Sequence, residues 1–207
     1  MDPMKPIRII LADDHPPLRA GLAAILNSHA DLEVVAEAGS GREMMALQER
    51  ADVYIMDLRM PDGDGLQTIK SLVARDPAAK VLVLTTYDNE EDIFHALESG
   101  ARGYLLKDTT KEEIIAAVRQ IHQGERYLPQ AVAARLADRL VRPSLTPREL
   151  DVLRLVSRGR TNKEMAAAMF ISEETVKTHM KSLFQKLDVH DRAEAVSVSL
   201  QRGLIRI

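Results

Sequence analysis

The first part of the chain alternates between short apolar runs and longer amphipathic stretches, five times in succession. The apolar runs are rich in β-branched residues and predict strands at Ile7–Ala12, Leu32–Glu37, Val53–Met56, Lys80–Thr85 and Gly103–Leu106. Each run is followed by apolar residues three or four positions apart, which predict helices near Pro17–Ser28, Gly41–Arg50, Gly65–Arg75, Glu90–Ser99 and Lys111–Gln123. Strands that are apolar throughout need helices on both faces. The pattern therefore predicts a doubly wound α/β domain with a five-stranded parallel sheet.

From residue 144 onward the periodicity is helical. Capping boxes at Thr146–Glu149 and Thr161–Glu164 predict two helix starts. Ser172, followed by two glutamates, predicts a third start, and Asp191–Arg202 is expected to form a fourth helix that ends at Gly203. A tight break separates the second and third helices, which is typical of a helix-turn-helix. We therefore predict a small all-α four-helix domain.

These patterns divide the chain into an α/β domain at residues 1–124, a linker at 125–143 and a helix-turn-helix domain at 144–207. A length of 207 residues suits two domains, and 45% apolar with 29% charged residues is an ordinary globular composition. The chain has no cysteine, which excludes disulfides, thiolate metal sites and thiol nucleophiles. This suits a reducing, cytoplasmic location. The beginning of the chain lacks the apolar segment of a signal peptide, and no run could span a bilayer, so we expect no membrane partner.

Charge is unevenly distributed between the two parts. The whole chain carries a net charge of −3, but residues 1–143 carry −6 and residues 144–207 carry +3. A basic helical domain beside an acidic one points weakly to nucleic-acid contact by the smaller part.

Polar side chains stand at the ends of the predicted strands. They are two carboxylates after the first strand, one after the third, a hydroxyl ending the fourth and an ammonium after the fifth: Asp13, Asp14, Asp57, Thr85 and Lys107. The carboxyl ends of parallel strands are where such sheets bind ligands. Three converging carboxylates would repel one another without a hard divalent cation, so the all-oxygen set predicts Mg²⁺. A carboxylate, a metal, a cation and a hydroxyl together are what phosphoryl transfer to an aspartate requires.

The chemistry alone leaves open which carboxylate is the nucleophile. Asp57 is favoured because it stands alone at a strand end and precedes Met60–Gly63, a turn signal that could bend the next loop over a phosphoryl group. The alternative for any single strand-end aspartate is a structural helix cap. Helix capping would not explain why all five polar groups converge at one edge of the sheet.

The third helix of the second domain has an apolar and a polar face. Its apolar stripe comprises Val176, Met180, Leu183, Phe184 and Leu187. The opposite face carries Lys177, Thr178 and Lys181, of which the two lysines lie one turn apart and could both enter a major groove. The alternative interpretation is a solvated helix face.

Two other basic residues lie close to this helix. Lys163 occupies the first turn of the preceding helix, where its charge opposes the helix dipole, and a bound phosphate would account for that placement. His179 is interpreted as a partly buried packing residue or a phosphate contact rather than a metal ligand, because no second ligand is suitably spaced.

Residues 7–123 resemble the receiver domain of two-component response regulators. The resemblance rests on Asp13-Asp14, the motif Met-Asp-Leu-Arg-Met-Pro-Asp-Gly around Asp57, Thr85, and Tyr-Leu-Leu-Lys ending at Lys107. It implies a flavodoxin-like fold in which Asp57 accepts phosphate from a sensor histidine kinase. It also implies that Asp13, Asp14 and Asp57 bind Mg²⁺ and that Lys107 contacts the phosphoryl group.

The same resemblance implies a conformational switch. Thr85 would move toward the new phosphoryl oxygens, and Tyr104 would turn inward to fill the vacated space. The alternative for Tyr104 is a half-buried strand residue with a solvated hydroxyl. Many receivers have proline after the lysine, whereas Asp108 stands here, which leaves the geometry of that peptide bond open. Arg59 and Tyr87 occupy the positions that tune phosphate hydrolysis in the family.

Residues 145–200 resemble the LuxR-type helix-turn-helix of the NarL/FixJ response regulators. The matching motifs are Leu-Thr-Pro-Arg-Glu from residue 145, Thr-Asn-Lys-Glu-Met-Ala from 161, Ile-Ser at 171, Thr-Val-Lys-Thr-His from 175 and Lys-Leu at 186. The resemblance implies that Lys177, Thr178 and Lys181 contact base edges of double-stranded DNA, and that Lys163 and His179 lie near phosphates. It also implies that the last helix, through Val196, pairs two copies on DNA.

The two parts together predict a DNA-binding response regulator, not an enzyme. Phosphorylation of Asp57 by a histidine kinase would switch dimerisation and promoter binding, with a homodimer as the phosphorylated form. A phosphohydrolase using an aspartyl-phosphate would instead have a further acid, a capping insertion and no helix-turn-helix. A constitutive DNA binder would have lost one of the five site groups. The kinase, the stimulus, the operator, and activation versus repression are left open.

Overall fold

The computed structural model describes residues 5–61 and 63–205, with only the backbone described at 63 and 64. Asp62 of the predicted turn therefore lies outside the described residues, as do the outermost ends of both predicted domains. The chain divides into two compact units, one comprising residues 1–88 and 92–134, the other 89–91 and 135–207.

The first unit contains a five-stranded, all-parallel sheet. Its strands are β1 (Ile7–Ala12), β2 (Leu32–Ala38), β3 (Val53–Met56), β6 (Val81–Thr85) and β7 (Gly103–Leu106). Their order in the sheet is β2-β1-β3-β6-β7, and every neighbouring pair is parallel. A short antiparallel hairpin follows β3 and consists of β4 (Arg59–Met60) and β5 (Gly63–Asp64). The predicted five-stranded parallel sheet is confirmed.

Helices connect the strands as the periodicity predicts. They are α1 (Pro16–Asn27), α2 (Gly41–Ala46), α3 (Gly65–Arg75), α4 (Glu90–Glu98) and α5 (Lys111–His122). The prediction that the second helix reaches Arg50 is wrong, since Leu47 is already extended with φ −61° and ψ 140°. The residues after Leu47 are polar and exposed, so a further turn would bury no apolar face to hold it.

The sheet is covered on both faces. Ile9 and Leu11 belong to a core that includes residues of α1 and α5, whereas Ile10, between them, is buried but lies outside that core. Because successive strand residues point to opposite faces, Ile10 packs on the other side. This double cover leaves the carboxyl edge of the sheet as the place where polar side chains converge.

The segment after α5 also pairs with the sheet. Tyr127 forms a parallel bridge with Gly103, and its carbonyl oxygen accepts a hydrogen bond from the Tyr104 amide at 3.2 Å. A further helix, α6 (Gln130–Val141), lies within the segment expected to be the linker. No helix in the described part of the chain is both long and apolar enough to cross a membrane.

The second unit contains the four predicted helices, α7 (Pro147–Ser157), α8 (Asn162–Met169), α9 (Glu173–Leu187) and α10 (Arg192–Arg202). Both capping boxes form, at Thr146 and at Thr161. The Ser172 hydroxyl oxygen accepts a hydrogen bond from the Thr175 amide at 3.0 Å, and Gly203 ends α10 with φ 80°. These starts were predictable because caps are local to the sequence.

A buried carboxylate joins α7 to α9. Glu149 is 3% exposed and completes the capping box by accepting a hydrogen bond from the Thr146 amide at 2.7 Å. It also accepts one from the Ser182 hydroxyl at 2.6 Å and pairs with Lys186 Nζ at 2.8 Å. Burial would raise the pKa of Glu149, but the bonds from Lys186, Ser182 and Thr146 outweigh it and lower the pKa to about 2.

Candidate functional sites

Strand pairing brings three of the predicted polar residues to one edge of the sheet. The Asp57 amide donates to the carbonyl of Ala12, and the Lys107 amide donates to the carbonyl of Thr85, so each residue directly follows its strand. Lys107 Nζ lies 2.6 Å from Asp57 Oδ2 and 2.7 Å from Asp13 Oδ2. One ammonium group therefore bridges two carboxylates.

Burial strengthens these contacts. Asp13 and Asp57 are 6% and 5% exposed, and burial of this kind is tolerated only when charges are paired. Burial on its own would lower the pKa of Lys107, but hydrogen bonds and Coulomb attraction from Asp13 and Asp57 raise it overall. Lys107 is therefore held as a cation. The carboxylate of Asp14 lies within 4.8 Å of that of Asp13 and adds a third negative charge, an excess that a divalent cation would offset.

The ligand geometry includes a residue that the sequence interpretation missed. In the described part of the chain, the one group of carboxylate and imidazole ligands close enough to share an ion is Asp13, Asp14 and His15, with ligand atoms within 4.8 Å of one another. His15 Nδ1 lies 3.1 Å from Asp14 Oδ1, and the His15 amide donates to Asp13 Oδ1 at 2.8 Å. Asp57 is outside this group and bonds instead to Lys107 and to the Arg59 amide. The signal for His15 was its position directly after the acidic pair.

Thr85 and Tyr104 are both fully buried, at 0% exposed. The Thr85 hydroxyl has no hydrogen-bond partner among the residues described. The Tyr104 hydroxyl donates to the main-chain carbonyl oxygen of Tyr87 at 2.6 Å. Burial, and then the negative charge of Asp92, raise the pKa of Tyr104. The side chain of Tyr104 therefore lies inside the unit, and the alternative of a half-buried ring with a solvated hydroxyl does not hold.

Arg59 and Tyr87 contact each other beside the acidic site. The guanidinium carbon of Arg59 lies 4.4 Å from the centre of the Tyr87 ring, a cation–π contact. Arg59 Nη2 also lies 2.5 Å from Asp92 Oδ2, in the first turn of α4. The peptide bond between Lys107 and Asp108, which the sequence left open, is trans, as are all those in the described residues.

The polar face of α9 is exposed as predicted. Lys177, Thr178 and Lys181 are exposed and His179 is half-buried, while the apolar stripe packs into the core of the unit. Lys177 Nζ lies 3.1 Å from Glu174 Oε2, and the Thr178 hydroxyl donates to the Glu174 carbonyl at 3.1 Å. Lys163 is exposed in the first turn of α8. The geometry brings the three α9 residues onto one surface, and their roles stay predictions.

A cavity of about 600 Å³ opens beside this surface. Its lining includes Lys177 and Lys181 together with Asn162 and Arg192, which the sequence interpretation did not single out. Arg192 donates to the carbonyl of Arg160 at 2.8 Å and to the side-chain oxygen of Asn162. Hydrogen bonds from Arg192 therefore link the first turn of α10 to the start of α8. Only the tertiary fold brings these residues together, so no local signal could have revealed them.

Comparison with known proteins gives two family matches. Residues 9–119 match the response regulator receiver domain, and residues 143–199 match the luxR family of bacterial regulatory proteins. The nitrate/nitrite response regulator protein homolog of Haemophilus influenzae is 42% identical over 203 residues, covering 95% of this chain and 98% of that protein.

Two solved structures are similar over nearly the whole chain. RcsB, in a structure of two dimers bound to two parallel DNAs, is 27% identical with a TM-score of 0.73, covering 95% of this chain and 99% of that one. RcsB from Salmonella enterica serovar Typhimurium, bound to promoter P1flhDC in the presence of phosphomimetic BeF3⁻, is 27% identical with a TM-score of 0.71, covering 95% of this chain and 98% of that one.

Proposed function

The chain belongs to the DNA-binding response regulators that join a receiver domain to a luxR-type helix-turn-helix, and we propose that phosphorylation of Asp57 controls its binding to promoter DNA. The observation that carries the proposal is Lys107, whose ammonium lies within 2.7 Å of both Asp57 and Asp13 at the carboxyl edge of the sheet. The domain limits that we propose are 1–124, 125–143 and 144–207.

In this proposal Asp57 is the nucleophile. One of its carboxylate oxygens attacks the phosphorus of a phosphohistidine on a sensor kinase, a new O–P bond forms and the P–N bond breaks. The electron pair leaves with the histidine nitrogen, which takes up a proton. Lys107, held as a cation, neutralises charge on the transferred oxygens.

The donor set fits a hard divalent cation. Asp13, Asp14 and Asp57 would hold Mg²⁺, which prefers carboxylate oxygens and supplies charge neutralisation to phosphoryl groups. His15 adds a nitrogen donor close to Asp14, so it would orient that carboxylate. The fit rests on buried carboxylates that outnumber the one ammonium between them.

Thr85 and Tyr104 would transmit the change. A buried hydroxyl without a partner costs about 1–3 kcal/mol, and a phosphoryl oxygen on Asp57 would supply the missing acceptor. The inward position of Tyr104 is supported by its bond to the Tyr87 carbonyl. Together they would link the phosphorylated site to the segment that precedes α4.

DNA binding is assigned to α9. We propose that Lys177, Thr178 and Lys181 contact base edges in the major groove, while Lys163 and His179 contact phosphates. The exposed polar face of α9 supports this assignment. A homodimer paired through α10 around half-buried Val196 would present two such helices to a two-fold site. The similarity to RcsB, which binds DNA as dimers in its solved structure, supports a dimeric complex.

The test compares DNA affinity with and without a phosphodonor. Full-length protein is incubated with Mg²⁺ and acetyl phosphate, and binding is measured to a promoter fragment recovered by genome-wide mapping of bound DNA. We expect phosphorylation to strengthen binding by roughly 5- to 150-fold, the usual size of allosteric coupling. Asp57→Asn should lose the effect, and Asp138→Asn, the same change at an exposed position of α6, should retain it.

Two outcomes would favour other functions. If wild type and Asp57→Asn bind DNA equally after treatment, the chain is a constitutive DNA binder. Sustained turnover of phosphate esters would instead indicate a phosphohydrolase.

A further inference from the structure

A second groove lies in the helix-turn-helix unit, between α7 and the turn that joins α8 to α9. Its volume is about 560 Å³, within the range of ligand-binding clefts. Its walls combine basic and apolar side chains with one carboxylate, and they include Arg148, Arg158, Leu155, Phe170, Ile171 and Asp151. None of the residues that line it is one of the five proposed DNA contacts.

Phe170 is the most unusual residue of this groove. Its side chain is 95% exposed, and its backbone is left-handed with φ 56°. An aromatic residue is disfavoured in that conformation, which glycine, asparagine and aspartate adopt more readily. The corresponding position at the end of α9 has Asp188, with φ 58°. An exposed aromatic ring at such a position gains no burial energy within its own unit. A partner that covered the ring would provide that burial.

The basic side chains of the groove lie along α7 and at its C-terminal cap, Arg158. Arg154 and Arg158 lie one helical turn apart, and Arg148 lies near the start of the helix. Arg154 is paired with Asp151 at 3.1 Å, whereas Arg148 and Arg158 make no side-chain hydrogen bond or ion pair with any described residue. Two guanidinium groups are therefore available to an acidic ligand.

The apolar part of the groove argues for a protein rather than a nucleic acid. Leu155 and Ile171 are half-buried and pack on the domain core, so they form a floor beside the Phe170 ring. A phosphate backbone would use the arginines but would leave this apolar surface uncovered. Arginine and aromatic side chains around an apolar centre are the residues that dominate protein–protein interfaces.

We propose that this groove binds an acidic amphipathic helical segment of a partner protein. Apolar residues of the segment pack on Phe170, Leu155 and Ile171, and its carboxylates pair with Arg148 and Arg158. We expect the partner helix to lie alongside α7, because the charged and apolar residues of the two helices would then both repeat every three or four residues. None of the residues that line the groove belongs to the acidic site around Asp57.

The test uses a fluorescent amphipathic peptide of about twelve residues, three helical turns, built from leucine and glutamate. Binding to the full-length protein is measured by anisotropy, beside a peptide in which glutamine replaces every glutamate. We expect the acidic peptide to bind and the glutamine peptide to bind about tenfold more weakly, since hot-spot contacts are worth this much.

Two variants test whether the peptide binds in this groove. Phe170→Asn keeps a residue that suits the left-handed backbone, and Arg158→Glu reverses one unpaired charge; each should weaken binding about tenfold. Arg126→Glu makes the same charge change at an exposed position outside the groove and should leave binding unaltered. Circular dichroism and gel filtration verify that the variants are folded.

Three results would overturn the proposal. The first is an acidic peptide that does not bind, or that binds all variants equally. The second is Arg158→Glu weakening binding to specific and random DNA alike, with a salt slope reduced by about one, since the arginine would then be a phosphate contact. The third is that Phe170→Asn abolishes self-association of the protein but leaves peptide binding unchanged. The groove would then bind a second copy of the chain.

Discussion

The hydroxyl group of Tyr104 donates a hydrogen bond to the main-chain carbonyl oxygen of Tyr87, at 2.6 Å. The ring of Tyr87 in turn contacts the guanidinium group of Arg59, which is paired with Asp92. A residue of β7 is thereby connected to the first turn of α4 through Tyr87 and Arg59, and the amide of Arg59 also bonds to Asp57. The inward position of Tyr104 and the position of the Tyr87 loop are parts of one arrangement.

Tyr104→Phe should weaken this arrangement without creating a cavity. The ring stays fully buried, but the Tyr87 carbonyl loses its donor, which should lower the free energy of unfolding by about 1 kcal/mol. Urea denaturation of the full chain measures the change. Tyr54→Phe is the control, because the contact of the Tyr54 hydroxyl with the described residues is a long one, 3.5 Å from the Ala51 amide. Equal losses in both variants would argue against the Tyr104 bond as a specific support.

Lys107→Ala should leave two buried carboxylates uncompensated. Removing one partner of a buried ion pair typically costs about 3–5 kcal/mol, so the variant should melt well below wild type in the presence of a chelator. If the carboxylates share a cation site, Mg²⁺ should restore more stability to this variant than to wild type. Calorimetric melting with and without Mg²⁺ measures both effects. Lys5→Ala, at an exposed position, is the control. A Lys107→Ala variant as stable as wild type without metal would refute the role of this ammonium.

Glu149 should make the stability of the second unit depend on pH. Its pKa is about 2 in the folded unit, compared with an ordinary value of 4.5. A lowered pKa stabilises the folded state fully above pH 4.5, and the contribution is lost as pH falls toward about 2. At neutral pH, Glu149→Gln should cost about 2 kcal/mol, the value of hydrogen bonds to a charged group. Denaturant unfolding at a series of pH values should show wild type and variant converging below pH 4.5. A constant difference across that range would contradict the assignment.

Features that depend on residues close together in the sequence could be predicted, whereas features that depend on tertiary packing could not. The starts of α8 and α9 were predictable because Thr161 and Ser172 bond to amides three residues away. The five strands were predicted to within one residue because apolar runs ended by polar residues mark them directly. The end of α2 was missed, since whether residues after Ala46 stay helical depends on what they can bury, which is a tertiary property.

The candidate sites show the same division. That Asp13, Asp57 and Lys107 would converge followed from strand ends meeting at one edge of the sheet. That a single ammonium bridges both carboxylates, while His15 joins Asp13 and Asp14 instead, could not be read from spacing. The contact of Arg192 with Asn162 joins residues of different helices and likewise had no local signal.

Lys177 and Lys163 should differ in what they contribute to DNA binding. Lys177 lies on the exposed face of α9, and the side chain with which it pairs among the described residues is the exposed carboxylate of Glu174, a contact that a base edge could replace. Lys177→Ala should therefore weaken binding to the specific site by about 1–3 kcal/mol while changing binding to random DNA much less. Lys163, in the first turn of α8, should act on phosphate, so that Lys163→Ala weakens both kinds of binding and reduces the salt slope by about one. Salt-dependent titrations of both variants on specific and random duplexes distinguish the roles. Equal losses on the two duplexes for Lys177→Ala would remove it from the base-reading surface and reassign it to the phosphate backbone.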